Sequence, residues 1–318
     1  MSQPNCALPV QAYNIELLHE DGRTGPESHG WCFGLPPGIS PEQWPLDPST
    51  GYPLVHGFTL RLPPYYRCHG SDIAGLSFFA CCSEHGDGGT VLDEAIQAAM
   101  VGAAAPADPR YLPFWTAAQN SHRRLSRMID DVFEYSYAVI LLTEAELDGP
   151  LCRLPDTTAA RALSRYAAPS WLETGSARVF FDSLVDSSDP QRHYLFRVLG
   201  GVPEARLDWS RGLRWSPRAN DPNAGKAPQD PFTGDKTAGY QQPYYYEGGI
   251  IKTETYREQA WTTDHAQNHI GGTMRPWQRT PRCSPFYIEF EEYLGGYNFG
   301  GGNAQLDFLN MQLDWACG

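Results

Sequence analysis

The stretch FYIEFEEYLGGYNFGGGNAQLDFLNMQLDW (286–315) sets the fold class. Ile288 and Phe290 alternate with Glu289 and Glu291, and Leu309, Met311, Leu313 and Trp315 alternate in QLDFLNMQLDW. A period of two is that of a strand whose faces see different surroundings. The intervening GGYNFGGGN (295–303) is followed by no lysine or hydroxyl residue that would hold a phosphate and magnesium, so it reads as a turn between strands.

Outward from this unit the same reading recurs. HGFTLRL (56–62) alternates, and GLSFFACC (75–82) and YAVILLT (137–143) are short apolar runs of buried-strand type. ARVFFDSLV (177–185) reads as a further strand. Helices are expected over 90–104 with Thr90 as cap, over 121–135 from Leu125, Met128, Ile129, Val132 and Phe133, and around Ala159–Tyr166. The segment GLPPGISPEQWPLDPSTGYPLVHGFTLRL (34–62) before GLSFF echoes GGTMRPWQRTPRCSPFYIEFEEY (271–293) before GGGNAQLDFLNMQLDW. Each is a Gly/Pro-rich entry with a tryptophan, then a strand, then a second strand. The expectation is one α+β domain over 1–318, mainly antiparallel sheet with a pseudo-duplicated unit and a few flanking helices. High glycine (31) and proline (27) agree with short elements and many turns.

The net charge is −13, from 37 acidic and 24 basic side chains, and only Lys226, Lys236 and Lys252 are lysines. Such a field repels phosphate and speeds encounter with a cationic partner, so direct nucleic-acid binding is disfavoured. The N-terminal residues show no signal-peptide pattern, and no apolar run is long enough to span a membrane. With eight scattered cysteines and no CxxC pair, the compartment expected is the cytoplasm.

Chemical motifs are sparse. GxSxG, GxxxxGK[ST] and HExxH do not occur. His265 and His269 share a helix face if their segment is helical, but only Asp264 is near as a third ligand. In the group Cys68, His69, Cys81, Cys82 and His85, the adjacent cysteines point to opposite faces of a strand. Neither set is read as a metal site, and no cofactor or catalytic residue is assigned. Asp130–Asp131 and Glu291–Glu292 read as solvated faces. The Pro/Gly-rich loop 216–249 is instead the candidate partner-binding segment, through Asp230, Asp235, Tyr244, Tyr245, Tyr246 and Glu247. Loops carry binding residues on rigid scaffolds, and tyrosines make large contacts.

IGGTMRPWQ (270–278), FYIEFEEY and GGGNAQLDFLNMQLDWACG resemble the YwqG-like family of domains of unknown function. The matching positions are Gly271, Gly272, Pro276, Trp277, Gln278, Asp314, Trp315 and Cys317. Trp44, Pro45, Gly51, Pro53, Leu54 and Gly75 to Phe79 resemble its first half, and HYLFRVLGGVP (193–203) its middle. The resemblance implies an antiparallel α+β fold with a repeated unit. It also implies kinship with immunity proteins that neutralise DNA-degrading effectors of type VI secretion. The partner expected is therefore a cognate toxin, a cationic nuclease domain. An enzyme or small-ligand binder of another type is the alternative. Thiol titration of denatured, unreduced protein is expected to return eight free thiols, and a clear deficit would contradict the reducing-compartment reading.

Overall fold

A computed structural model describes residues 10–21, 27–85, 92–130, 133–184, 190–232, 239–244, 246–247, 250–251 and 258–318. In chain order the strands are β1 (Tyr13–Asp21), β2 (Gly30–Cys32), β3 (Val55–Arg61), β4 (Ile73–Ala80), β5 (Leu125–Ile129), β6 (Ser136–Thr143), β7 (Arg211–Pro217), β8 (Tyr246–Glu247), β9 (Ile250–Ile251), β10 (His269–Ile270), β11 (Tyr287–Glu291), β12 (Asn303–Asp307) and β13 (Gln312–Ala316). The helices are α1 (Glu94–Val101), α2 (Leu112–Gln119), α3 (Glu144–Leu147), α4 (Thr158–Leu163), α5 (Trp171–Thr174), α6 (Ser176–Ser183) and α7 (Pro190–Val198).

Eleven strands form one sheet in the order β13-β12-β11-β10-β1-β7-β2-β3-β4-β6-β5, while β8 and β9 pair separately. Neighbouring strands are antiparallel throughout. The two echoing segments fall on β3–β4 and β11–β12, on opposite sides of the central β1–β7 pair. The sheet curls into a nearly closed barrel. Phe133 and Tyr135, beside β5, stack on Trp315 of β13 at 5.8 and 6.2 Å between ring centroids.

Strands β4 and β6 read as short apolar runs because both their faces are buried, and alternating β3 is buried as well, except at Arg61. Adjacent Phe78 and Phe79 point to opposite sides. Phe78 packs in the barrel interior with Phe58, Phe290 and Tyr297, with α6 and α7 adding Phe180, Phe181 and Leu195. Phe79 joins the outer core with Trp44, Ile96, Phe114 and Trp171, beneath α1 to α5.

Several expected elements differ. The 121–135 segment holds the strand β5, whose Leu125 pairs with Ile140 and Ile129 with Ser136. Its helical spacing is misleading, for Ile129 is 59% exposed while Met128 is buried and Leu125 packs partly against the outer core. Pairing with the apolar β6 overrides the local pattern. Conversely, 177–185 is not a strand. Helix α6 buries Ala177, Phe180 and Phe181, the i, i+3, i+4 stripe of a helix, and Arg178 pairs with Asp182 one turn on. Helix α1 starts later than expected and is capped by Asp93, which accepts from Ile96 N at 3.4 Å, while Thr90 lies outside the described residues. Leu309 and Met311 sit in the β12–β13 turn and not in a strand.

The ring of Phe290 is fully buried and meets Phe58, Phe78 and Tyr297, each at 5.3 Å between centroids. Phe290→Ala is expected to cost about 3–5 kcal/mol in urea unfolding. A loss below about 1 kcal/mol would mean that this cluster does not organise the barrel.

Candidate functional site

The loop read from sequence as partner-facing is largely folded onto its own sheet. Arg218, immediately after β7, has a fully buried side chain. Its Nε donates to Asn14 Oδ1 at 2.7 Å, and its terminal nitrogens donate to the carbonyls of Ala266 at 2.6 Å and Thr273 at 3.3 Å. Asp221 is its counter-ion at 3.5 Å and also accepts from the Thr273 hydroxyl and backbone N–H at 2.7 and 2.9 Å. Buried Asn223 then ties the loop to its far end, exchanging hydrogen bonds with Gln241 N at 2.8 Å and Gln241 O at 2.7 Å.

The expected partner residues divide accordingly. Asp230 is 7% exposed and accepts from Arg279 Nε at 2.6 Å and Phe232 N at 2.8 Å, so its charge is compensated within the chain. Tyr244 is half-buried, bridges to Glu258 and faces Arg275. Tyr246 and Glu247 form β8, paired with Ile251 and Ile250. Asp235 and Tyr245 lie outside the described residues. His265 and His269 do not share a helix, because His269 opens β10.

His269 belongs to a sealed polar pair. Its Nε2 lies 2.9 Å from Glu289 Oε2 and its Nδ1 2.8 Å from the Gly271 carbonyl, with both side chains fully buried. Both ring nitrogens therefore face oxygen. If Nδ1 carries its hydrogen toward the carbonyl, Nε2 needs a proton from Glu289 or from a second ring protonation. Burial pushes the Glu289 carboxyl up to about 7 against the pull of Arg218, and burial together with Arg218 holds the imidazole well below its ordinary range; the balance favours neutral histidine with protonated glutamate. Glu289 also accepts from Arg275 N at 2.8 Å and Asn303 Nδ2 at 2.7 Å. These partners use its capacity, and the pair acts as a structural bolt between β10 and β11. Nearby Gly271 has φ 59°, and a Cβ there would lie 2.0 Å from the Tyr66 hydroxyl. Glu292, expected in solvent, is buried and accepts from Phe299 N at 2.5 Å and Gly301 N at 3.0 Å.

A wider concave surface lies elsewhere among the described residues. A cleft of about 720 Å³ separates α2 from α4, with Pro109–Tyr111 and Pro155 at its ends. Trp44, Leu46, Phe114 and Ala160 make its buried floor, and Trp44 is fixed by an indole N–H bond to Leu54 O at 2.8 Å. Gly51 (φ 75°) lets Phe114 seat, since a Cβ would come within 2.6 Å of that ring. Leu112 is 41% exposed at the lip. Glu42, Arg110 and Asp156 stand on the rim. Arg110 is bidentate to Asp108, with Nε at 3.0 Å and a terminal nitrogen at 2.6 Å from Oδ2. The sequence reading had the helix of α4 but not that of α2, although Phe114 with Ala117 and Ala118 in LPFWTAAQ carries the i, i+3, i+4 signal.

Comparison with protein families, with curated proteins and with solved structures finds no match to this chain.

A pH test follows from Glu289. Its folded value of about 7 exceeds the ordinary 4.5, so its stabilisation is complete below 4.5 and is lost as pH rises through about 7. Glu289→Gln keeps a carbonyl for Arg275 and Asn303 and offers an N–H to His269. The wild type is expected to lose stability relative to this variant by about 1.4 kcal/mol per pH unit as pH rises from 4.5 toward 7. A pH-independent difference in urea midpoints would contradict the protonated state of Glu289.

Proposed function

We propose that this chain is an immunity protein that binds a cationic, DNA-degrading toxin of type VI secretion and holds it inactive. The observation that carries this reading is the disposition of charge. Acids outnumber bases by 37 to 24, and many described arginines spend their charge on carboxylates of the same chain. Arg61 faces Glu144 and Asp148, Arg124 faces Glu146, Arg214 faces Glu16 and Glu27, and Arg279 faces Asp230. Local neutralisation of the cations leaves the acidic surplus to act outward. A nuclease must carry a cationic groove for phosphate, and carboxylates are suited to occupy or cover it. The resemblance of 270–278 and 286–318 to the YwqG-like family supports the same reading.

The second reading, a small-ligand protein, is favoured by one observation: the α2–α4 cleft has the volume of a ligand site. Its polar groups argue against that use. Arg110 is engaged by Asp108 and the Trp44 indole by Leu54, which leaves these groups little to orient a polar ligand.

The test is to look for a nuclease gene adjacent to that of this chain and to mix the purified chain with its product. Expected are a stoichiometric complex on gel filtration, suppressed DNA cleavage, and association slowed about tenfold or more between 50 and 500 mM salt. Undiminished cleavage with no complex would overturn the proposal.

A further inference from the structure

We infer that the cleft between α2 and α4 receives an amphipathic helix of the toxin, its apolar face against Leu112, Ala162 and Leu163 and its basic residues beside Glu42 and Asp156. This deepens the inhibitor reading above and rests on it for the partner's identity. Three features of the cleft select the occupant. The first is what its walls lack. Both are helices, whose main-chain groups are paired along their own axes, so neither offers the free edge that an extended strand needs. An extended peptide would bury unpaired amides there, whereas a helix brings its backbone already satisfied.

The second is the apolar lining: Leu112 and Ala162 are exposed, and Ala159 and Leu163 partly exposed, above a floor of buried Trp44, Phe114 and Ala160. These are knobs and holes for side chains at i, i+3, i+4 and i+7. The third is the sign of the rim. The Arg110 charge is cancelled by its two-pronged bond to Asp108, while Glu42 and Asp156 bond only hydroxyl and amide partners and keep their charges. Those contacts also hold both carboxyls below their ordinary range, so the rim stays anionic at neutral pH. Lysine or arginine beside the apolar stripe is the complement.

Two probes test this with one set of variants. The first is a labelled 14-residue amphipathic peptide of leucine and lysine, with its leucine–glutamate counterpart as control; the second is the cognate nuclease. The variants are Glu42→Lys with Thr116→Lys on the rim, Ala162→Trp to fill the cleft, and Glu204→Lys as a distant charge control, all at exposed side chains. Circular dichroism and Tm confirm that each folds. The lysine peptide is expected to bind the wild type and not the glutamate peptide, and the cleft variants should weaken both lysine peptide and nuclease at least tenfold while Glu204→Lys changes them less than twofold. Equal binding of the two peptides, or cleft variants indistinguishable from Glu204→Lys with both probes, would overturn the inference. If the nuclease binds all variants alike, the cleft assignment fails and the inhibitor reading stands. If the lysine peptide binds in the cleft but the nuclease never binds, the cleft's selectivity for a basic amphipathic helix stands, while the toxin as its source and the inhibitor reading fail.

Discussion

A guanidinium cannot be buried without partners for its donors, and the side chain of Arg218 is sealed from solvent in the middle of this molecule. Its hydrogen bonds reach β1 through Asn14, the segment before β10 through Ala266, the segment after it through Thr273, and the start of the long loop through Asp221. Strand β1 is where the two halves of the sheet meet, pairing with β7 on one side and β10 on the other. One side chain thus ties both halves and the loop together. The same charge helps keep His269 neutral, whereas Glu289 is raised by its own burial, against the pull of Arg218. Losing Arg218 would leave Asp221 buried and uncompensated, a change of the kind that costs about 3–5 kcal/mol.

This network explains why the loop 216–249 is a support more than a free arm over its described part. Asn223, Lys226 and Gln242 bond back to loop carbonyls, and Asp230 is spent on Arg279. The exposed concavity lies instead between α2 and α4, on the outer side of the sheet, where Leu112 and Ala162 stand exposed above buried Trp44 and Phe114. The barrel interior provides rigidity, and the outer helical layer provides the shaped surface.

The strands with uninterrupted or alternating apolar residues, β3, β4, β6 and β11, were legible from sequence because their burial is written in neighbouring positions. Strand β5 and helix α6 were not. Each is a short segment whose periodicity fits two states, and the pairing of Leu125 with Ile140 or the packing of Phe180 against Phe33 decides between them. The buried acids were equally hidden. Glu289 looks like the solvent face of an alternating strand, and its burial is made tolerable by His269, twenty residues away, and by Asn303 and the Arg275 backbone, each fourteen away. Of the site, the helix of α4 was legible and its pairing with α2 across Trp44 was not, since that proximity spans more than a hundred residues.

Hydrogen exchange of the chain alone and with the nuclease bound tests the central claim most directly, because it reports which backbone the partner covers. The account predicts added protection in 109–119 and 155–163, around the cleft, with 239–251 little changed. Protection confined to 239–251, with the cleft helices exchanging as in the free protein, would contradict it.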